Sequence, residues 1–486
     1  MEGALYESIA RGNKDTYFLD EKFQDAVNPF ETRYERRPAF LNELRRNVPL
    51  NSTDFGRSCE FELEVAGELF LEATLLIDLP SWLPPDQAAK NGDWNYVIRT
   101  PPWRNTPPNT RPETDGDRRK YGYTRGIAYF LFSSIQIFQD KISLYEISGD
   151  SLWASELSHG SLNSAWLTQE LSGQRGFDTD TTDLSRQATP GRLRLKLPIP
   201  GNSVGLPTCA MKQQKFRVKL TLRTLEECIE CSDDTVVHPA PCNESVFEIV
   251  SQADRNKNGD PDEPGQQYTP IETFKPIPRE LIGKPILTLE TRHVYMDAES
   301  RSKYEAEKHE IPYSLLYENT YTFSGAFAIR VVKDIDAEHP ASRMFWYIRT
   351  WDNLHRNRRW ATSDERNPYY GSATFLIAGR DREAAAAPIL WNTLVPFAKE
   401  ERDPGFSLGE MNWDLGPGTG RAAPHIAVPE GSINFSTAEK PAFSIFLRYP
   451  NLTSTFDTKT VELNVVVNTW VVYTIEDNRG FIAFSN

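Results

Sequence analysis

Short runs of strict apolar and polar alternation constrain this chain more than any other feature. Glu60-Phe61-Glu62-Leu63-Glu64-Val65 alternates acid with apolar residue. Arg192-Leu193-Arg194-Leu195-Lys196-Leu197 does the same with basic residues, and the pattern returns from Lys215 to Leu222. In a fourth run Val461, Leu463, Val465 and Val467 fall on one side. Successive side chains of a strand point to opposite faces, so each run buries one face and wets the other. Antiparallel sheets packed face to face want this pattern, whereas doubly wound parallel sheets show continuous apolar stretches. The 34 prolines and 28 glycines lie between short apolar stretches, as turns between strands require. The expected class is an all-β sandwich.

Helical signals are few. Asp297 is placed to cap a short helix over 298–309, with acids near its start and Lys308 and His309 near its end, as the helix dipole prefers. A second candidate helix covers 161–171. Two stretches break the strand rhythm. Residues 84–120 are rich in Pro, Asn and charge and read as a long excursion. Residues 251–280 have almost no apolar content at their centre and read as a connection between domains. The expected organisation is an N-terminal arm at 1–24, a first domain at 25–250, the connecting segment 251–280 and a second domain at 281–486. Each domain has the size of an eight-stranded jelly roll with long loops. No short-period repeat is visible, which argues against solenoids and propellers.

Across 486 residues, 54 Lys and Arg against 68 Asp and Glu leave a formal charge of −14. That balance argues against a surface built to grip nucleic acid directly. No apolar run approaches the roughly 20 residues of a transmembrane helix. The first residues, acidic and without a long apolar core, do not read as a secretory signal. Five cysteines, an odd number, suggest a reduced protein, and the sequons at Asn51, Asn243, Asn434 and Asn451 then read as chance matches. No phosphate-binding loop, zinc-protease or nucleophile-elbow motif is present, and the Gly-rich 416–420 reads as a flexible turn. The seven scattered histidines offer no cluster of the kind a cupin metal site needs. No catalytic or cofactor-binding residue is expected, and the chain does not read as an enzyme.

One constellation remains open. Cys228, Cys231, His238 and Cys242 could supply four soft ligands to a structural zinc, although the spacing is not that of a common zinc knuckle. Unused thiols, or a Cys228–Cys242 disulfide, are the alternatives. Arg33, Arg36, Arg37, Arg45 and Arg46 form a basic cluster interleaved with Glu31, Glu35 and Glu43, which reads either as internal ion pairs or as a docking segment. Trp94, Trp103, Trp351 and Trp360 sit in expected loops. They would be packing anchors, or sugar platforms if the chain were a carbohydrate-binding β-sandwich.

Several segments, in order along the chain, resemble the double jelly-roll major capsid proteins of nucleocytoplasmic large DNA viruses. Residues 3–18 and 28–37 resemble that family's N-terminal arm and the lead into its first strand. Residues 191–200 and 205–227 resemble the closing strands of the first jelly roll. Residues 291–311 are similar to its strand, Asp turn and short helix, 429–447 to its segment before a late strand, and 480–486 to its Ser-Asn terminus. Residues 84–120 and 352–388 look unlike any shared core; in the family such loops form the outer crown. The resemblance implies two consecutive eight-stranded antiparallel jelly rolls, a homotrimeric pseudo-hexagonal capsomer, and contacts with neighbouring capsomers and minor capsid proteins beneath the shell. It places the protein in the virion capsid, assembled in the host cytoplasm, with the arm through Arg46 facing inward. A minor double jelly-roll paralogue is the alternative within the same family.

Overall fold

The computed structural model describes residues 40–63, 66–80, 121–159, 193–200, 205–211, 214–231, 237–239, 242–250, 269–276, 282–324, 329–362, 369–382, 384–400, 408–414, 431–448 and 460–483. The expected arm at 1–24, the excursion at 84–120 and the helix at 161–171 lie outside these residues.

Two four-stranded sheets make a first sandwich. One has the spatial order Phe40–Asn47, Ile286–Met296, Leu69–Asp78, Leu193–Lys196, and the other Ser58–Glu62, Phe216–Leu222, Phe132–Gln139, Ile142–Ile147. Numbered along the chain, these eight strands are ordered 1-8-3-6 and 2-7-4-5. The second half repeats that order. One sheet runs His309–Ser324, Thr460–Glu476, Pro340–Thr350, Gly409–Asn412, and the other Ile329–Asp334, Ala442–Leu447, Tyr370–Ile377, Arg380–Asp381. This is the eight-stranded jelly roll, twice, as the alternation predicts. Short strands extend the sheets: Leu206–Pro207 beside 69–78, Ile433–Asn434 beside 340–350, and Arg479–Ala483 beside 460–476.

The alternating runs bury the expected faces. Phe61 and Leu63, Leu193 and Leu195, and Phe216, Val218, Leu220 and Leu222 all point into the first core. Val461, Leu463, Val465 and Val467 point into a second core with Trp346, Phe375 and Phe443. The first core does not stop at its own sandwich. It also takes in Tyr313, Leu315, Phe345, Tyr347, Val466 and Tyr473 from the second. Strand 340–350 therefore sends Met344, Trp346 and Ile348 into one core and Phe345 and Tyr347 into the other.

Three expectations need correction. The first sandwich is not complete before 251–280, because strand 286–296 pairs antiparallel with 69–78, with Leu289 opposite Leu75. The chain changes sandwich later, at helix Ala298–Ala306. The polar segment that resembled a linker lies between the seventh and eighth strands of one jelly roll, and its residues Thr269–Pro276 form a strand paired antiparallel with Cys242–Val250. Second, 352–388 is not all loop, since it contains the fourth strand of the second sandwich, 370–377, whose Ala373 and Phe375 are core residues. Third, Arg45 and Arg46 belong not to an arm but to the first strand. Arg46 Nε donates to Glu290 Oε1 at 3.0 Å and Arg45 donates to the Tyr295 hydroxyl at 2.7 Å, so internal pairing is the correct reading for these two. Arg33, Arg36 and Arg37 lie outside the described residues.

The Asp297 cap is present, its Oδ1 accepting the Ser300 N–H at 2.9 Å. The helix ends at Ala306, short of the expected His309. Glu307 turns extended, and His309 opens the next strand with its ring stacked on Tyr304.

Candidate functional site

The structure concentrates its chemistry where the two sandwiches meet. Helix Gly149–His159 follows the fifth strand of the first sandwich, and Ser148 starts it by accepting the Ser151 N–H at 3.1 Å. Asp150 in its first turn is buried. Its Oδ1 accepts from Arg349 Nη1 at 2.6 Å and lies 3.5 Å from Arg359 Nη1, while Oδ2 accepts from Arg223. Arg223 belongs to the first sandwich, and Arg349 and Arg359 to the second. Arg349 also lies 3.8 Å from Glu462, and its guanidinium sits 4.6 Å above the Tyr347 ring. Burial alone would raise the Asp150 pKa, but the three guanidiniums outweigh it and hold the carboxyl below its usual range. One helical turn down, Trp153 meets Tyr347 edge to face at 6.1 Å.

A second tie uses the turn after helix Trp351–His355. Asn357 takes a left-handed conformation, φ 60°, which Asn tolerates. Its amide donates to the carbonyls of Ile229, at 2.6 Å, and Glu226. Thr124 donates to the Asn357 carbonyl at 2.9 Å, and Trp360 Nε1 donates to Glu230 Oε2 at 2.9 Å. Arg125 stacks on the Trp360 ring at 4.4 Å. Glu230 is buried, and burial raises its pKa.

These contacts decide the tryptophan question in part. Trp360 is a packing anchor across the junction, and Trp351 packs edge to face on His355; Trp94 and Trp103 lie outside the described residues. Of the candidate zinc ligands, Cys228 is a free, buried thiol whose pKa burial pushes up to about 12. His238 is exposed, 4.9 Å ring to ring from His355. The backbones of Cys231 and Cys242 lie in different two-stranded sheets, paired opposite Tyr121 and Pro276, and their side chains lie outside the described residues. Among the described residues no three metal-ligating side chains cluster, and no helix is long and apolar enough to cross a membrane.

The junction was not foreseen from sequence. Helix 149–159 is buried on nearly every side, so it carries no amphipathic stripe. Ser148 followed by Asp150 was its one local signal.

Solved structures share this double arrangement. The chain is similar to the subunit in a quasi-atomic model of the PBCV-1 virus capsid, with a TM-score of 0.64 at 14% identity over 94% of this chain and 100% of that one. PBCV-1 VP54, fitted into a reconstruction of the virophage Sputnik, gives 0.65 at 14% identity with the same coverage. The Faustovirus major capsid protein gives 0.57 at 11% identity, over 97% of this chain and 96% of that one. This chain has the double jelly-roll fold of viral major capsid proteins. No protein-family model and no curated protein sequence matches it. The likeness therefore lies in the fold, and the double jelly roll carries it over nearly the whole chain.

Proposed function

We infer that the protein is a structural subunit of an icosahedral viral shell, forming homotrimeric, pseudo-hexagonal capsomers of a large double-stranded DNA virus. The observation that carries this reading is the repeated strand order, 1-8-3-6 over 2-7-4-5, in two sandwiches fused through one core and the Asp150 ionic knot. A subunit with two like sandwiches held as one body supplies six of them in three copies, so a trimer presents hexagonal edges to its neighbours. Trimer contacts should be large and apolar, as obligate interfaces are. Contacts between capsomers, and with minor capsid proteins beneath them, can be weaker because they accumulate over a closed shell. The role is structural rather than catalytic, and the net charge of −14 suits a wall that does not adhere to the genome. Light scattering on a sizing column tests this. The expected mass is three times the 55.4 kDa chain, stable to dilution. A folded monomer at all concentrations overturns the reading.

A further inference from the structure

The internal repeat pairs two helices that sit in the same connection, between the fifth and sixth strands of their sandwiches. In the first sandwich it is helix 149–159; in the second it is the continuous helical run 389–400, π-helical over Ile389–Leu394 and then α-helical over Val395–Glu400. Both pack at the start of the fourth strand of their own sandwich. A Cβ on Gly149 would meet the Phe132 carbonyl at 2.6 Å, and Tyr370 donates from its hydroxyl to Asn392. Here the likeness ends. Helix 149–159 is buried against the outer face of the 340–350 sheet, through Asp150 and Trp153. The 389–400 run turns Trp391, Asn392 and Pro396 inward and leaves Ile389 at 66%, Leu394 at 51% and Phe397 at 60% exposure. A π turn brings residues five apart onto one face and an α turn residues three apart, so these three form a single apolar stripe.

We propose that this stripe docks on a second copy of the chain, against the outer face of that copy's sheet 40–47, 286–296, 69–78, 193–196. The argument is the repeat itself. Within one chain, the second sandwich offers its 1-8-3-6 sheet to the helix of the first. Among the described residues, the corresponding sheet of the first sandwich has no such helix from its own chain, and the corresponding helix of the second has no such sheet. A head-to-tail contact between copies supplies each to the other, and such a heterologous contact closes into a ring when its rotation allows. The receiving face also has an apolar foothold where the pairing predicts one. Arg349, opposite Glu462 at the end of 340–350, receives helix 149–159. Its counterpart position, at the end of 69–78, has Asp78 opposite Ile286, which is 63% exposed.

The contact rests on the trimeric reading above, and the test separates the two. Full-length wild type and the Leu394→Glu/Phe397→Glu pair are compared by light scattering over a dilution series, with circular dichroism and thermal melting as checks on folding. The expected result is a wild-type trimer and a folded variant of one-chain mass. Ile286→Asp, on the receiving face, gives the same loss. Phe397→Ser, a smaller change, keeps the fold and moves dissociation to at least tenfold higher protein concentration. A wild-type trimer with variants of unchanged mass and dilution midpoint overturns the contact and leaves the assembly standing. A monomeric wild type overturns both.

Discussion

Strands 69–78 and 340–350 hold the same place in the same sheet order, third along the chain and beside the eighth strand. Their outer faces are treated differently. Every residue of 340–350 except Ser342 is buried, whereas Leu69, Leu71, Glu72, Thr74 and Asp78 of its counterpart keep partial contact with solvent and, of its outward residues, Leu76 is buried. Inner faces are set by the sandwich and look alike; Ala73, Leu75 and Ile77 in one match Met344, Trp346 and Ile348 in the other. The difference comes from what covers each sheet. Helix 149–159 lies on the second sheet, and it carries a carboxylate into a place that holds three arginines. A jelly roll fixes its interior by itself, but the identity of its outer face is decided by the neighbour it must accept.

Asp150→Ala breaks that comparison hardest. It leaves Arg349, whose side chain is 1% exposed, and two more guanidiniums without their shared anion. Removing one partner of a buried ion pair costs roughly 3–5 kcal/mol. The expected outcome is a loss of that size in denaturant titration of the dilute chain. A loss under about 1 kcal/mol would mean that the knot does not hold the sandwiches together.

Gly409→Ala tests the other side of the same sheet. Gly409 stands opposite Trp346 in the sixth strand, and a Cβ there would come 2.3 Å from the indole ring. Trp346 is enclosed by Tyr370, Trp391 and Phe443, so it has little room to yield. Overpacking of this kind costs about 1–3 kcal/mol. The melting temperature should fall, while the Asp150 knot on the opposite face is untouched. The two losses should then add in the double variant, as distant sites do.

What the sequence revealed follows this division between inner and outer faces. Period-two runs such as Lys215–Leu222 mark strands with one wet face, and these were legible down to the residue. Strand 460–476 was legible only over Val461–Val467 and only for one side. Its Asn464, Val466 and Asn468 are buried too, Val466 in the core shared with the first sandwich, and nothing local announces a second covering. The 370–377 strand hid within a polar stretch because its flanks are rich in charge. The change of sandwich was placed at 251–280 because composition marks loops, not topology; that strand 286–296 returns to the first sheet is a long-range pairing. The Asp150 knot joins residues 73 to 209 positions apart, and none of its members stands out in its own neighbourhood.

The finest test compares the two buried carboxylates that tie the sandwiches. Asp150 is held charged by guanidiniums; Glu230 accepts from Trp360 Nε1 and lies 3.2 Å from the Thr124 hydroxyl, and burial pushes its pKa up. A carboxyl whose folded pKa is raised binds its proton more tightly in the folded state. Its contribution to stability is then fully present below the unfolded value of about 4.3 and is lost as pH rises through the folded pKa. Gln has the shape and hydrogen bonding of the protonated acid and no charge to bury. Glu230→Gln should therefore match wild type in acid and exceed it at neutral pH, by on the order of 1 kcal/mol. The readout is the difference in denaturation midpoint between the two proteins, measured in steps from pH 4 to pH 8. A difference that stays flat, or that grows toward acid, would mean Glu230 is held ionised as Asp150 is, and that Arg125 and Arg358, the nearby cations, govern the second tie after all.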